Sequence, residues 1–189
     1  ECTCLEAIEK KYINNFKIDI YQVSEDINIF EYTKEITLQT INERKKNNMW
    51  QCKKIIHNVN RIENIAHSYN SFSDVFTRYI PKQNEGQLNL LDCNTTASDF
   101  ENELNPDNDE ILFTCQTYRE GSDISGVEFV NIIIEGEKAN HLIAQIKGRA
   151  DRIDYTNQLS ETNIFINCKD DESIPKLING LSNSLDIPI

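Results

Sequence analysis

Residues 110–152 form the stretch that most constrains the fold of this chain, because two apolar runs there enclose a glycine-bearing turn and precede an arginine-bearing helical pattern. Residues 111–113 and 129–134 are short, apolar and rich in β-branched or aromatic side chains, which is typical of buried strands. Residues 119–126 are rich in Gly, Ser and Asp, which indicates a turn. The sequence therefore predicts a strand, a turn, a second strand and a helix in succession.

Strand and helix patterns also alternate along the rest of the chain. Short alternating or apolar runs predict further strands at 16–23, 54–60, 87–92 and 163–168. Helical spacing predicts helices at 4–13, 62–69, 97–104 and 174–181, with polar connecting helices within 24–50. This alternation predicts an α/β fold with a mostly parallel sheet and helices on both of its faces.

The predicted helix after residue 134 carries one polar stripe. At about 100° per residue, Gln145, Arg149 and Arg152 lie at i, i+4 and i+7 and therefore share one side. Two guanidinium groups close together suit an oligophosphate, because each presents five fixed donors and stays charged. The alternative interpretation of the stripe is the solvated face of an amphipathic helix.

The residues just described resemble two helicase motifs. Thr114 followed by the turn at 119–124 resembles motif V of superfamily 2 helicases, in the E-G-x-D-I form of restriction-type and many viral enzymes, with Ser125 where that form has proline. Residues 145–152 match all four fixed positions of Q-x-x-G-R-x-x-R, which resembles motif VI. The resemblance implies a RecA-like, P-loop NTPase-like fold and the C-terminal domain of a helicase or translocase.

The resemblance also implies which residues would contact ATP. Arg149 and Arg152 would act as arginine fingers on the β/γ-phosphate region, and Gln145 would join their polar network. The residues that would bind the nucleotide are Gly121, Asp123 and Gly148.

The resemblance further implies contacts between other residues and nucleic acid. Thr114 would face the bound strand, and Thr95 matches a threonine that meets a phosphate, although helix capping also explains Thr95. Asn60 and Arg61 follow the predicted strand at 54–60, which resembles motif IV, and ligands collect at the carboxyl ends of such strands. The basic run 44–46 is either a backbone contact or solvated charge.

The sequence lacks the elements that hold a nucleotide's phosphates and its metal ion. Gly121 and Gly126 have the spacing of the two phosphate-loop glycines, but Val127 and Glu128 follow where Lys and Ser or Thr are required. No Asp-Glu pair stands at the end of a predicted strand. We therefore expect ATP and Mg²⁺ to be held mainly by an N-terminal RecA-like lobe, and this fragment by itself to be inactive.

The resemblance divides the chain at residue 50. Residues 1–50 would connect to the N-terminal lobe, and residues 51–189 would form the C-terminal RecA-like domain. The expected partners are DNA or RNA and the N-terminal lobe of the same protein. The sequence does not decide between the two nucleic acids, or between unwinding and translocation.

Composition limits how nucleic acid could bind. The 189 residues include 19 Lys and Arg against 31 Asp and Glu, so the net charge is -12 and any phosphate contact must be local. The 6 Cys and 3 His show no zinc spacing, and no metal site is expected. No signal peptide or long apolar run is present, so we expect no membrane association and an intracellular, cytoplasmic place, with nucleus or virion still open.

Two other functions remain open at the level of sequence. The first is a non-catalytic RecA-like interaction module, which the negative charge and the missing phosphate loop would favour. The second is an unrelated nucleotide-binding α/β domain, such as the carboxyl-terminal half of a glycosyltransferase, which would leave the pattern at 145–152 unexplained.

Overall fold

A computed structural model provides the fold. It describes residues 3–50, 53–59, 61–72, 76–81, 100, 108–115, 124, 126–134, 161–168 and 174–185. The strands are β1 (Asn15–Gln22), β2 (Lys54–Val59), β3 (Thr77–Tyr79), β4 (Glu110–Cys115), β5 (Val127–Ile134) and β6 (Glu161–Cys168). The helices are α1 (Cys4–Glu9), α2 (Ile29–Lys46), α3 (Glu63–Ser71) and α4 (Ile174–Leu185).

The six strands form one sheet in the order β1-β6-β5-β2-β4-β3, and every pair of neighbours is parallel. All residues of β2, β4 and β5 are buried, as expected for strands covered on both faces. The predicted fold class, a mostly parallel sheet with helices on both faces, is confirmed.

Side chains alternate between two apolar layers. On the face that we call the α2 face, Ile55 and Phe113 pack with Ile41 of α2 and Ile65 of α3. On the opposite face, which we call the α4 face, the apolar partners are Ile56, Leu112 and Val130 of the sheet and Leu177 and Leu181 of α4. The two-residue period of a strand explains why adjacent residues enter different layers.

Helix α2 is a single helix packed on the sheet, within the region where the sequence predicts connecting helices. Asn28 caps its first turn by accepting from the amide of Phe30 at 2.9 Å. The Thr33 and Thr37 side chains are buried, and each hydroxyl donates to the carbonyl four residues earlier, at 2.7 Å. Those internal bonds allow polar residues to face the core.

Strand β3 was not predicted. It is only three residues long and has Arg78 at its centre, whose guanidinium carbon lies 4.0 Å from the centre of the Tyr69 ring. The predicted strand at 87–92 and the helix carrying Gln145, Arg149 and Arg152 lie outside the described residues. So does the helix at 97–104, except for Phe100, which is helical and buried.

The segments before and after residue 50 pack together. Strand β1 pairs with β6, and α2 packs on β5. The division of the chain at residue 50 remains a prediction. Within the described residues, no helix combines the length and apolar character needed to cross a membrane.

Candidate functional site

The carboxyl ends of β2 and β4 form the candidate site. Asn58 and Thr114 are direct neighbours in the parallel pairing of these strands, and the Asn58 amide Nδ2 donates to Thr114 Oγ1 at 2.7 Å. Both side chains are buried, at 2% and 1% exposure. In open α/β sheets, ligands bind outside the carboxyl ends of the strands. This edge is therefore where ligand chemistry is expected.

Arg61 lies just beyond the same end of β2 and is exposed. Thr114 and Arg61 thus belong to neighbouring strand ends, and their predicted contacts with nucleic acid stay predictions. The other predicted site residues lie outside the described part of the chain: Asn60, Thr95, Gly121, Asp123, Gln145, Gly148, Arg149 and Arg152. Their roles stay predictions.

On the α2 face of β2, His57 is fully buried. Its Nε2 lies 3.1 Å from the Ser68 hydroxyl, and its ring contacts the rings of Phe72 and Phe113, with centroids 5.5 and 5.3 Å away. Burial lowers the pKa of His57 from 6.5 to about 3, so the imidazole is neutral at physiological pH. Sequence analysis did not single out this histidine, because a single His in an apolar strand gives no signal.

A second Asn–Thr hydrogen bond joins the sheet to α2. Asn131 lies opposite His57 in the pairing of β5 with β2, and its Nδ2 donates to Thr37 Oγ1 at 2.9 Å. Neither Asn131 Oδ1 nor His57 Nδ1 has a hydrogen-bond partner among the described residues. This bond uses the same two side-chain types as the bond between Asn58 and Thr114, but it lies on the opposite face of the sheet.

Near the amino ends of β4 and β5, two carboxylates are paired with basic side chains of α2. Glu128 has no exposed side-chain surface and accepts from Arg44 Nη2 and from the Lys53 amide, both at 3.0 Å. Lys45 Nζ and Trp50 Nε1 both donate to Asp109, at 2.6 and 2.7 Å. The basic run 44–46 is therefore not only solvated charge, because Arg44 and Lys45 form ion pairs between the end of α2 and the residues at the start of β5 and β4.

A second buried carboxyl group lies nearby on the α4 face. Burial raises the pKa of Glu110, whereas the hydrogen bond from the Tyr79 hydroxyl, at 2.8 Å, and the charge of Lys54 lower it. Lys54 Nζ itself donates to the Phe100 carbonyl at 2.8 Å. The carboxyl and ammonium groups lie at the amino ends of β4 and β2, away from Asn58 and Thr114 at the carboxyl ends. We therefore infer that they stabilise the fold and do not bind a ligand.

No group of three or more His, Cys, Asp or Glu side chains in the described ranges is arranged to hold a metal ion. Cys115 and Cys168 are buried thiols and Cys4 is half-buried. Cys115 and Cys168 belong to the apolar core, where a free thiol behaves as a small apolar side chain.

Comparison with known proteins identifies the fold of this chain but not its family. No protein-family model matches the sequence, and no curated protein matches it. Among solved structures, the chain is similar to an ATP-dependent Type ISP restriction-modification enzyme, LlaBIII, bound to DNA, with a TM-score of 0.62 and 16% identity over 98% of this chain and 15% of that one. It is also similar to Mss116p DEAD-box helicase domain 2 bound to an RNA duplex, with a TM-score of 0.51 and 19% identity over 94% of this chain and 62% of that one.

These likenesses show that the chain has an α/β fold of the RecA-like type, which a helicase domain also has. The chain spans 15% of the length of the first structure and 62% of the length of the second.

Proposed function

We propose that this chain is the C-terminal RecA-like lobe of an ATP-dependent helicase or translocase of superfamily 2 that acts on DNA or RNA. The observation that carries the proposal is the position of Thr114. It begins the sequence that resembles motif V and lies near the carboxyl end of β4, in a fold shared with a DNA-bound ATP-dependent enzyme and an RNA-bound helicase domain. We place the protein inside the cell because its proposed substrate is there.

The proposed nucleotide contacts fit a triphosphate. Arg149 and Arg152 supply fixed cationic donors and Gln145 an amide, and these are the groups that neutralise and orient phosphate oxygens. Gly121, Asp123 and Gly148 complete the nucleotide contacts. ATP supplies the free energy of hydrolysis, and the N-terminal lobe would hold Mg²⁺ and the phosphate loop, because this sequence has neither a Gly-Lys-Ser/Thr loop nor a matching Asp-Glu pair.

The proposed nucleic-acid contacts are few and local. Thr114, Arg61, Asn60 and Thr95 would meet the backbone of one strand, using hydroxyl, amide and guanidinium donors. Such contacts position a backbone without reading its sequence. They are compatible with a net charge of -12, since only a small part of the surface has to attract phosphate. Closure against the N-terminal lobe would then move the strand.

Replacing either proposed arginine finger tests the nucleotide half of this function. We expect Arg149→Ala or Arg152→Ala in the full-length protein to lower kcat for ATP hydrolysis by about 10³-fold or more, because an arginine finger stabilises charge in the transition state. The melting temperature should stay nearly unchanged. Lys46→Ala, at the exposed end of α2, is the control and should retain full turnover. Wild-type turnover in the arginine variants would refute the assignment.

A non-catalytic interaction module is the second candidate, favoured by the net charge and by the lack of a phosphate loop in this sequence. The two functions differ in the full-length protein. A helicase lobe belongs to a chain that hydrolyses ATP, whereas an interaction module does not require hydrolysis.

A further inference from the structure

The hydrogen bond between Asn58 and Thr114 has a fixed direction. An amide nitrogen can only donate, so Asn58 Nδ2 occupies one of the two acceptor positions on Thr114 Oγ1, at 2.7 Å. Both side chains are almost completely buried, so water does not compete for this bond. The amide therefore holds the hydroxyl in one orientation before any ligand is present.

A threonine hydroxyl also has one hydrogen to donate. Among the described residues, Asn58 is the one side chain that bonds the Thr114 hydroxyl, and the hydroxyl hydrogen has no acceptor there. Because the Thr114 hydroxyl accepts from Asn58 and still has its hydrogen to donate, it is suited to bind a ligand atom that is a hydrogen-bond acceptor. The oxygens of a phosphodiester are of this kind, and bonds to a charged acceptor are stronger than neutral ones.

We infer that Asn58 is a positioning residue, which fixes Thr114 as a hydrogen-bond donor to a backbone phosphate of the bound nucleic acid. This inference rests on the proposed function and adds to it a residue that the sequence did not indicate. In the conformation described, Thr114 is 1% exposed. A phosphate can therefore accept from this hydroxyl only in a conformation in which Thr114 is more exposed.

The test measures the Kd of the full-length protein for single-stranded dT and rU oligonucleotides. Thr114→Val keeps the shape of the side chain but removes the hydroxyl, and we expect binding about tenfold weaker. Thr114→Ser keeps the hydroxyl and should bind within about twofold of wild type. Asn58→Leu should weaken binding by about threefold or more, because the hydroxyl is then no longer held as a donor.

Combining the two changes separates positioning from general structural damage. If Asn58 acts through Thr114, the double variant binds no more weakly than Thr114→Val, because the hydroxyl is already absent. The slope of log Kd against log salt should stay at the wild-type value, since threonine neutralises no phosphate charge. Further weakening in the double variant would overturn the inference, as would wild-type affinity in Thr114→Val.

Thr37→Val is a matched control. It breaks the other buried Asn–Thr bond, from Asn131 at 2.9 Å, on the α2 face of the same sheet. We expect it to lower the free energy of unfolding about as much as Thr114→Val does, with unchanged Kd. If the wild-type protein binds neither oligonucleotide, the proposed function itself fails. If it binds and Thr114→Val binds equally well, this inference and the proposed contact of Thr114 with the strand both fail, whereas ATP hydrolysis that depends on Arg149 and Arg152 would still support the helicase lobe.

Discussion

His57 shows how one buried side chain can set the response of the whole domain to acid. Its ring is enclosed by Phe72 and Phe113 and contacts the Ser68 hydroxyl, and burial lowers its pKa to about 3. In the unfolded chain the ordinary value of 6.5 applies. Between these two values the unfolded state binds a proton that the folded state does not, so acid favours unfolding.

We predict that the free energy of unfolding falls as the pH is lowered from 6.5 toward 3, by about 1.4 kcal/mol per pH unit from His57 alone. This contribution is fully present above pH 6.5. Urea unfolding at several pH values measures it, with His57→Gln as a comparison that keeps a polar group but does not titrate. Equal slopes in the two proteins over this range would contradict the prediction.

Among individual residues, the sequence indicated some members of the candidate site but not the contacts between them. The resemblance to motif V implied Thr114, and Arg61 was predicted because it follows the strand that resembles motif IV. Thr114 lies near the carboxyl end of β4, and Arg61 lies just beyond the carboxyl end of β2. The partner of Thr114 was not predictable, because Asn58 is 56 residues away and only the register of β2 with β4 brings the two together. Buried partners depend on register, which a single sequence does not reveal.

Among the elements, the strands with a clear apolar or alternating pattern were predicted, both the fully buried ones and the half-exposed β1. The runs that became β2, β4 and β5 are apolar because both layers of the core need them. Strand β3 gave no such signal, since it is short and its central residue is Arg78. Helix α2 was predicted as helical but not as part of the core, because two of its buried residues are threonines that hide the usual apolar period.

The attachment of α2 to the sheet depends on a buried ion pair. Arg44 and Glu128 are joined at 3.0 Å, with side-chain exposures of 13% and 0%, whereas Lys17 and Asp19 are joined at 2.9 Å with 59% and 27%. The distances are almost equal, so burial is the difference between the two pairs. Removing one partner of a buried pair leaves an uncompensated charge, but an exposed charge is solvated by water.

We therefore predict that Glu128→Gln lowers the free energy of unfolding by about 3 kcal/mol or more, because Arg44 loses its counter-charge while largely buried. The matched change in the exposed pair, Asp19→Asn, should cost less than about 1 kcal/mol. Urea denaturation followed by circular dichroism measures both values. Similar small effects in the two variants would show that the pair does not hold α2 to the sheet.

For the whole molecule, the α/β alternation predicted the parallel sheet, and the resemblance to motifs V and VI predicted the helicase-like fold that the two solved structures share with this chain. Function follows less directly, because a fold can serve many reactions. The proposed function therefore depends on three residues for which a ligand is proposed: Arg149 and Arg152 would act on ATP, and Thr114 would contact a nucleic-acid strand.

The most direct measurement is steady-state ATP hydrolysis by the full-length protein, with and without a single-stranded oligonucleotide. The proposed function predicts hydrolysis that increases when the strand is added and that is lost in Arg149→Ala, because both ligands would act on the same lobe. Correctly folded full-length protein that hydrolyses no ATP would contradict the proposed function and favour an interaction module. Hydrolysis at a rate that the strand does not change would also contradict it.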